Sequence, residues 1–149
     1  MCRLLKIIVS AYIPESLRTR IVDTDRQRCC YCLTTEANSG IPMTHDHIQP
    51  HSKGGETIFE NVCLACRSCN EFKANSTSAI DPLTGETVPL FKPRIQKWSD
   101  HFAWSPDGTR VEGLTAIGRA TIVCLRMNNP VIIVARKRWA VSGWHPPTD

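Results

Sequence analysis

Two pairs of cysteines carry the strongest chemical signal in the sequence. Cys29 and Cys32 form one C-x2-C pair, and Cys66 and Cys69 form a second pair after residues 33–65. Two residues between thiolates let one tight turn direct both sulfurs at the same ion, and two such pairs complete the tetrahedral four-sulfur shell typical of structural zinc. The sequence therefore predicts a structural Zn²⁺ site at these four cysteines.

The remaining cysteines leave alternative ligands open. Cys30 can replace Cys29, although C-x-C spacing makes a poorer chelate, and Cys63 with Cys66 is a formal alternative pair. We favour Cys66 with Cys69, because NVCLA has the pattern of a buried strand in which Cys63 serves as a small apolar residue. The other two cysteines are expected to be unligated core thiols: Cys2 and Cys124.

A string of motif residues lies between the two pairs and continues just beyond them. It consists of Asp46-His47 with Pro50, Gly54-Gly55, Asn61-Val62 and the string C-x2-C-N-x2-K, which ends at Lys73. Over residues 29–75 this combination resembles the HNH endonuclease family in its zinc-bound form. The resemblance implies a ββα-metal fold, in which a β-hairpin packs on one helix with a catalytic divalent ion between them.

The roles that the resemblance implies agree with elementary chemistry. Hydrolysis of a phosphodiester bond needs a base to deprotonate water and a Lewis acid to stabilise the leaving 3′-oxygen. Histidine side chains titrate near neutral pH, so His47 is the expected base. Asp46 and Asn70 offer hard oxygens that suit Mg²⁺ or Mn²⁺, and by resemblance Asn61 holds the loop that orients His47. Many family members have histidine where this chain has Asn70, a departure that bears on the identity of the metal.

Basic residues near the motif and in the C-terminal section are candidates for binding nucleic acid, because phosphate contacts dominate nucleic-acid affinity. Residues 1–114 hold 13 basic and 13 acidic side chains, so the net charge of +4 lies entirely within residues 115–149. A solvated helix face is the alternative interpretation of that excess. The candidate nucleic-acid-binding residues are Arg67, Lys73, His51, Lys53, Arg136, Lys137 and Arg138, with His45 as a weaker one.

The elements that must position the motif residues follow from hydrophobic spacing. Leu17, Ile21 and Val22 recur at helical intervals, and Pro14 is tolerated at a helix start, so a helix is predicted over about 14–27. MTHDHIQP and TIFENVCLAC are predicted to be extended, SCNEFKAN to begin a short helix, and residues 33–42 to form a loop. Residues 2–12 are a short strand or the approach to a helix.

The C-terminal half is predicted to be rich in turns and then helical. DPLTGETVP is turn-rich, LFKPRIQKWSDHFAW is semi-extended, and SPDGTR predicts a hairpin turn. Helical spacing continues over residues 114–127, and Asn129 can cap a helix that begins at Pro130 and runs until Gly143.

The strings TGE-x-VPLF and HFAW resemble an extension found in standalone bacterial HNH proteins. This implies that three aromatic residues, Trp98, Phe102 and Trp104, pack beneath the nuclease. Stacking on the bases of single strands is the alternative role for such side chains.

Composition limits the class of protein. The 149 residues are 42% hydrophobic and 21% charged, which excludes a disordered chain. No stretch approaches the roughly 20 apolar residues that a membrane helix needs. Lys6 interrupts the N-terminal apolar run and no small-residue cleavage site follows, so we expect no signal peptide. The expected compartment is the cytoplasm, where thiols stay reduced and paired cysteines serve as metal ligands.

These patterns predict an α+β fold: a small zinc-stapled ββα-metal core with helical N- and C-terminal extensions. We expect a single domain over 1–149, with the core at about 14–76 and an extension at about 77–149 packed on it. The resemblance implies a metal-dependent endonuclease that cuts or nicks double-stranded DNA and leaves 5′-phosphate and 3′-hydroxyl ends. The alternatives are a nuclease subunit of a larger defence or mobile-element complex, and a zinc module that binds nucleic acid without cleaving it.

Overall fold

Short helices and three two-stranded antiparallel sheets make up the fold in the computed structural model, which describes residues 12–148. The α+β class is therefore confirmed. The helices are α1 (Glu15–Asp25), α2 (Glu36–Ser39), α3 (Arg67–Lys73), α4 (Trp98–His101), α5 (Ala116–Cys124) and α6 (Pro130–Val141). The strands are β1 (Thr44–His47), β2 (Val62–Ala65), β3 (Ser78–Ile80), β4 (Thr87–Pro89), β5 (Phe102–Trp104) and β6 (Val111–Gly113).

Strands β1 and β2 form the hairpin that carries the motif residues. They pair antiparallel, with Asp46 opposite Cys63 and His47 opposite Val62. Every residue of β2 is buried, and helix α1 packs on this strand through Ile21 in a small core that includes Val62. Helix α3 follows β2 directly and contacts β1. The predicted extended pieces and the short helix after them are confirmed.

Helix α1 places a carboxylate where it links two parts of the chain. The helix ends at Arg26, whose left-handed backbone (φ 58°) lets its N–H bond to the Val22 carbonyl. Just before this turn, Asp25 is buried and receives two hydrogen bonds from the Arg94 guanidinium, at 2.6 and 3.0 Å, and one from the Leu64 N–H. A buried ion pair needs such additional partners to offset its desolvation.

The C-terminal section contains two further hairpins as well as helices. β3 pairs with β4 across the turn-rich DPLTGETVP segment, and β5 pairs with β6 across the predicted SPDGTR turn. The predicted C-terminal helix is confirmed: Asn129 accepts a hydrogen bond from the Ile132 N–H at 3.0 Å, and Pro130 occupies the first turn, where its missing N–H costs nothing. The extension is therefore mixed rather than wholly helical.

The main hydrophobic core joins the cysteine region to the C-terminal section. It includes Cys29 and Tyr31 from one part and Phe91, Phe102 and Leu125 from the other. The Trp98 indole N–H donates to the Tyr31 carbonyl at 2.8 Å. The two tryptophans of the aromatic string lie against this core, which supports packing rather than base stacking as their role.

Two predictions about secondary structure need correction or fall outside the described range. Residues 33–42 are predicted as a loop, but they contain helix α2, whose first turn is capped when Thr35 accepts a hydrogen bond from the Asn38 N–H. Most of the segment 2–12 lies outside the described residues, so its predicted strand or helix approach stays a prediction. No helix within 12–148 has the length and apolar character needed to cross a membrane.

Candidate functional site

The four predicted zinc ligands come together in space. The sulfur atoms of Cys29, Cys32, Cys66 and Cys69 all lie within 4.8 Å of one another, and the Cys32 and Cys66 sulfurs are 3.7 Å apart. Zinc–sulfur bonds of about 2.3 Å in a tetrahedron require sulfur–sulfur distances of about 3.8 Å. Their spacing and chemistry therefore fit a structural zinc ion.

Local backbone geometry holds each pair of sulfurs. The Cys32 N–H donates to the Cys29 sulfur at 3.5 Å, and the Cys69 N–H donates to the Cys66 sulfur at 3.4 Å. In the second case Cys66 is also the N-cap of α3, so one thiolate serves the metal site and the helix start together.

The alternative ligands lie outside the cluster. Cys63 is fully buried in β2, as expected of a small apolar residue, and Cys30 is partly buried beside the core. Cys124 is a partly buried thiol at the edge of the core, and Cys2 lies outside the described residues. Burial raises the pKa of the Cys29 thiol, whereas hydrogen bonds from Cys29 and the other cluster thiols lower the pKa of Cys32.

Alternation along β1 separates the two central motif residues. Asp46 points into the protein and is buried, whereas the neighbouring His47 is half-buried on the opposite face. The Tyr31 hydroxyl donates to one Asp46 oxygen at 2.8 Å, and the Lys73 ammonium lies 3.1 and 3.2 Å from the two oxygens. Lys73 also donates to the main-chain carbonyl of His47 at 3.0 Å. Burial raises the pKa of Asp46, and the Lys73 charge opposes that rise.

The His47 ring is held by a neighbouring hydroxyl. Its Nε2 lies 2.9 Å from the Thr57 Oγ1, and the His51 ring stands edge-on with its centroid 5.8 Å away. Burial lowers the pKa of His47, and the nearby His51 adds to that effect. The imidazole is therefore neutral, and able to accept a proton, at a lower pH than an exposed histidine.

The loop between β1 and β2 is closed by a single amide side chain. Asn61 donates to the carbonyls of Gln49 at 3.1 Å and Glu56 at 2.9 Å, and its Oδ1 accepts from the Gln49 N–H at 2.8 Å. Gly55 lies so close to the Gln49 carbonyl that any Cβ would collide with it. This network fixes the loop that begins just after His47 and contains Thr57.

The arrangement described so far is a zinc-type cysteine cluster next to a hairpin with an Asp-His pair, followed by an asparagine-closed loop. Residues 29–80 match the HNH endonuclease family model. The match covers roughly a third of the chain and spans the four cysteines, the hairpin and α3, and it confirms the family resemblance for this HNH segment. No curated protein and no solved structure matches the chain.

Two basic residues predicted to contact nucleic acid are not available to it. Lys73 is 1% exposed and its ammonium is bound by Asp46 and the His47 carbonyl, so it stabilises the HNH hairpin from within. Arg136 is 0% exposed and donates to the carbonyls of Thr109 and Met127. Both predictions are wrong for the same reason: each cation lies within the fold, where its polar partners surround it.

The other candidate residues are accessible. His51, Lys53, Arg67, Lys137 and Arg138 are exposed. Arg67 forms a loose pair with Glu71 at 3.4 Å, in which both side chains are largely exposed. Asn70 is half-buried on α3, the helix that contacts the Asp46 strand. His45 is half-buried beside the hairpin, with its Nε2 unpartnered among the described residues.

Two residues of the site were not predicted from the sequence. Tyr31 binds Asp46, and Thr57 binds His47. Tyr31 lies inside the first cysteine pair, so its proximity to Asp46 becomes apparent only once the zinc cluster is folded against the hairpin. Thr57 lies in the loop between Gly55 and Asn61, and that loop position is the signal that identifies it as a neighbour of the motif.

We expect stability to fall as the pH drops below about 6.5, the ordinary pKa of histidine. Burial lowers the folded-state pKa of His45, His47 and His145, so the unfolded chain binds more protons in this range. By linkage the free energy of unfolding then rises with pH through the window and declines towards its acid end. Urea midpoints measured between pH 7.5 and 5.5, with zinc content assayed at each pH, check this.

Substituting one of these histidines provides the control for that prediction. His47→Gln should show a shallower dependence of the midpoint on pH than the parent protein. A midpoint that does not change with pH while zinc is retained would contradict the expectation.

Proposed function

We propose that the protein is a metal-dependent HNH endonuclease that hydrolyses phosphodiester bonds of double-stranded DNA, with His47 as the general base and 5′-phosphate and 3′-hydroxyl products. One observation carries the proposal: within the matched HNH segment, a histidine of depressed pKa is held on a hairpin beside the four-cysteine cluster. We infer that the chain acts as a single domain, because the main core contains residues from both sections.

The contact with Thr57 selects the tautomer that the base needs. When Nε2 carries the proton, it donates to the Thr57 hydroxyl oxygen at 2.9 Å, and Nδ1 presents a lone pair. A water held against Nδ1 can then pass its proton to His47 as it attacks phosphorus. Asn61 fixes the start and the Glu56 region of the loop that contains Thr57, so it acts as a positioning residue for this histidine.

The donor set near His47 also fits a hard divalent ion. Asp46 and Asn70 offer oxygens that suit Mg²⁺ or Mn²⁺, and the space beside Asp46 already holds a cation, the Lys73 ammonium. Such an ion, when bound, supplies Lewis-acid stabilisation of the leaving 3′-oxygen. In the arrangement described, Lys73 competes for the same carboxylate, so Asp46 must exchange at least part of its contact with Lys73 to bind the ion.

Exposed cations are suited to contact the phosphate backbone of DNA. Lys53 and Arg67 lie within the HNH segment, near the ends of the loop and of α3, while Lys137 and Arg138 lie on α6. Contacts of this kind position a duplex without reading its sequence. The seven described cysteines are free of disulfides, which supports a reducing compartment such as the cytoplasm.

The proposal is tested by incubating supercoiled plasmid with the purified zinc-loaded protein and either Mg²⁺ or Mn²⁺. We expect nicked or linear products, and we expect His47→Ala to cut about 10²- to 10⁴-fold more slowly, the usual range for loss of a general base. End-labelling of the products should show 5′-phosphates. Glu112→Ala, at an exposed position in β6, serves as a matched control that keeps the parental rate.

The outcome that contradicts the proposal is equally specific. His47→Ala must keep the zinc content and unfolding midpoint of the parent, so that lost activity reports chemistry rather than folding. If the parent protein binds DNA but leaves plasmid intact with either metal, a zinc module that binds without cleaving is favoured. Cleavage that appears only after a cell extract is added would favour a nuclease subunit that depends on a partner.

A further inference from the structure

Arg136 on helix α6 is the largest fully buried side chain described in the protein. Its guanidinium donates to the carbonyls of Met127 at 2.8 Å and Thr109 at 3.1 Å, and to the Asn128 side-chain oxygen at 3.1 Å. All three partners are neutral. A buried cation normally requires an opposite charge nearby, because desolvation of an unpaired ion costs several kcal/mol.

No carboxylate within the described residues forms an ion pair with Arg136. The buried aspartates have other partners: Asp25 is paired with Arg94, Asp46 with Lys73, and Asp81 with Arg119. The Nε of Arg136 is itself buried and has no oxygen partner. The side chain therefore has both an uncompensated charge and an unused donor.

The four-cysteine cluster supplies the missing negative charge. Although burial lowers the pKa of Arg136, the charges of Cys32, Cys69 and Cys66 and a hydrogen bond with Cys32 all oppose that change, so the guanidinium lies beside these sulfurs. Four thiolates around one Zn²⁺ carry a net charge of −2, and that charge is buried here because three of the four cysteines are in the core.

We propose that Arg136 is a positioning residue of the metal site, donating to the Cys32 thiolate and offsetting the charge of the zinc–thiolate centre, so that helix α6 helps to retain the metal. Groups that contact metal ligands commonly change metal affinity by 10- to 100-fold. The proposal depends on zinc at the four cysteines but not on nuclease activity, so its test can fail or succeed independently of the proposed function.

The test compares zinc release from the holoprotein variants Arg136→Met and Arg136→Lys, using the chromogenic chelator 4-(2-pyridylazo)resorcinol at neutral pH. We expect Arg136→Met to release zinc at least about 10-fold faster than the parent. Arg136→Lys keeps the charge but loses the planar set of donors, so its rate should lie between the two. Arg138→Met, an exposed residue on the same helix, is the control and should release zinc at the parental rate.

A spectroscopic measurement separates this role from simple packing. With Co²⁺ in place of zinc, loss of a donor to a thiolate should move the sulfur-to-cobalt charge-transfer band of Arg136→Met to longer wavelength, while Arg138→Met leaves it unchanged. If Arg136→Met does not fold, Arg136→Lys provides the decisive comparison. Parental release rate and an unshifted band in the folded Arg136 variant would overturn the proposal.

Discussion

Replacing Cys66 with serine should abolish stoichiometric zinc and unfold the protein. Binding of a structural zinc ion contributes on the order of 10 kcal/mol to folding in small metallo-domains, which is comparable to the entire stability of an ordinary domain. Cys66 also caps α3 by accepting a hydrogen bond from the Cys69 N–H, so its loss removes a ligand and a helix cap together. The other cluster cysteines lie in the main core, and their burial depends on the same site.

Metal analysis and denaturation measure this effect. The parent protein should contain about one tightly held zinc per chain and unfold cooperatively, whereas Cys66→Ser should contain little zinc and lack a cooperative transition. Cys124→Ser is the matched control, because Cys124 is a partly buried thiol outside the cluster; its zinc content should equal that of the parent. A zinc-free parent, or a Cys66→Ser protein that folds normally, would refute the structural role of zinc.

Removal of Lys73 should be the next most damaging change. Lys73→Met would leave the buried Asp46 carboxylate with the Tyr31 hydroxyl but without its ammonium partner. Breaking one side of a buried ion pair typically costs about 3–5 kcal/mol, because an uncompensated charge remains. We expect a loss of this size at pH 7 in urea denaturation followed by circular dichroism.

A double-mutant comparison tests whether that loss arises from the ion pair. Asp46→Asn combined with Lys73→Met removes both charges and should recover much of the stability lost in Lys73→Met alone. Arg67→Met is the exposed control: its pair with Glu71 lies on the surface of the same helix, so we expect a change of about 0.5 kcal/mol or less. Equal losses for Lys73→Met and Arg67→Met would contradict the assignment of a buried pair.

The parts of the site that were predictable depend on short stretches of sequence. The zinc ligands follow from the spacing within each cysteine pair, because a tight turn alone brings Cys29 towards Cys32. Helix α6 was likewise predictable, since Asn129 and Pro130 specify its start locally. The family motif adds the hairpin, whose order of elements is confirmed by residues 44–73.

What escaped prediction depends on contacts between distant residues. Lys73 and Arg136 are cations, and nothing next to them in the sequence shows that Asp46 and the cysteine cluster will surround them. The short strands β3 and β4 have only three residues each, and the turn residues around Pro82 and Gly85 obscured them. Isolated hairpins of this size are unstable, and this one forms where helix α5 packs against it.

The shared core also bears on how portable the motif is as an engineering cassette. The segment that matches the HNH family ends at residue 80, yet the surface beneath Cys29 and Tyr31 is supplied by Phe91, Phe102 and Leu125. A nuclease module excised at the edges of the matched segment would expose these apolar residues to water and lose the Arg136 guanidinium beside its sulfurs. For grafting or fusion, the transferable unit extends beyond the recognisable motif and includes helix α6.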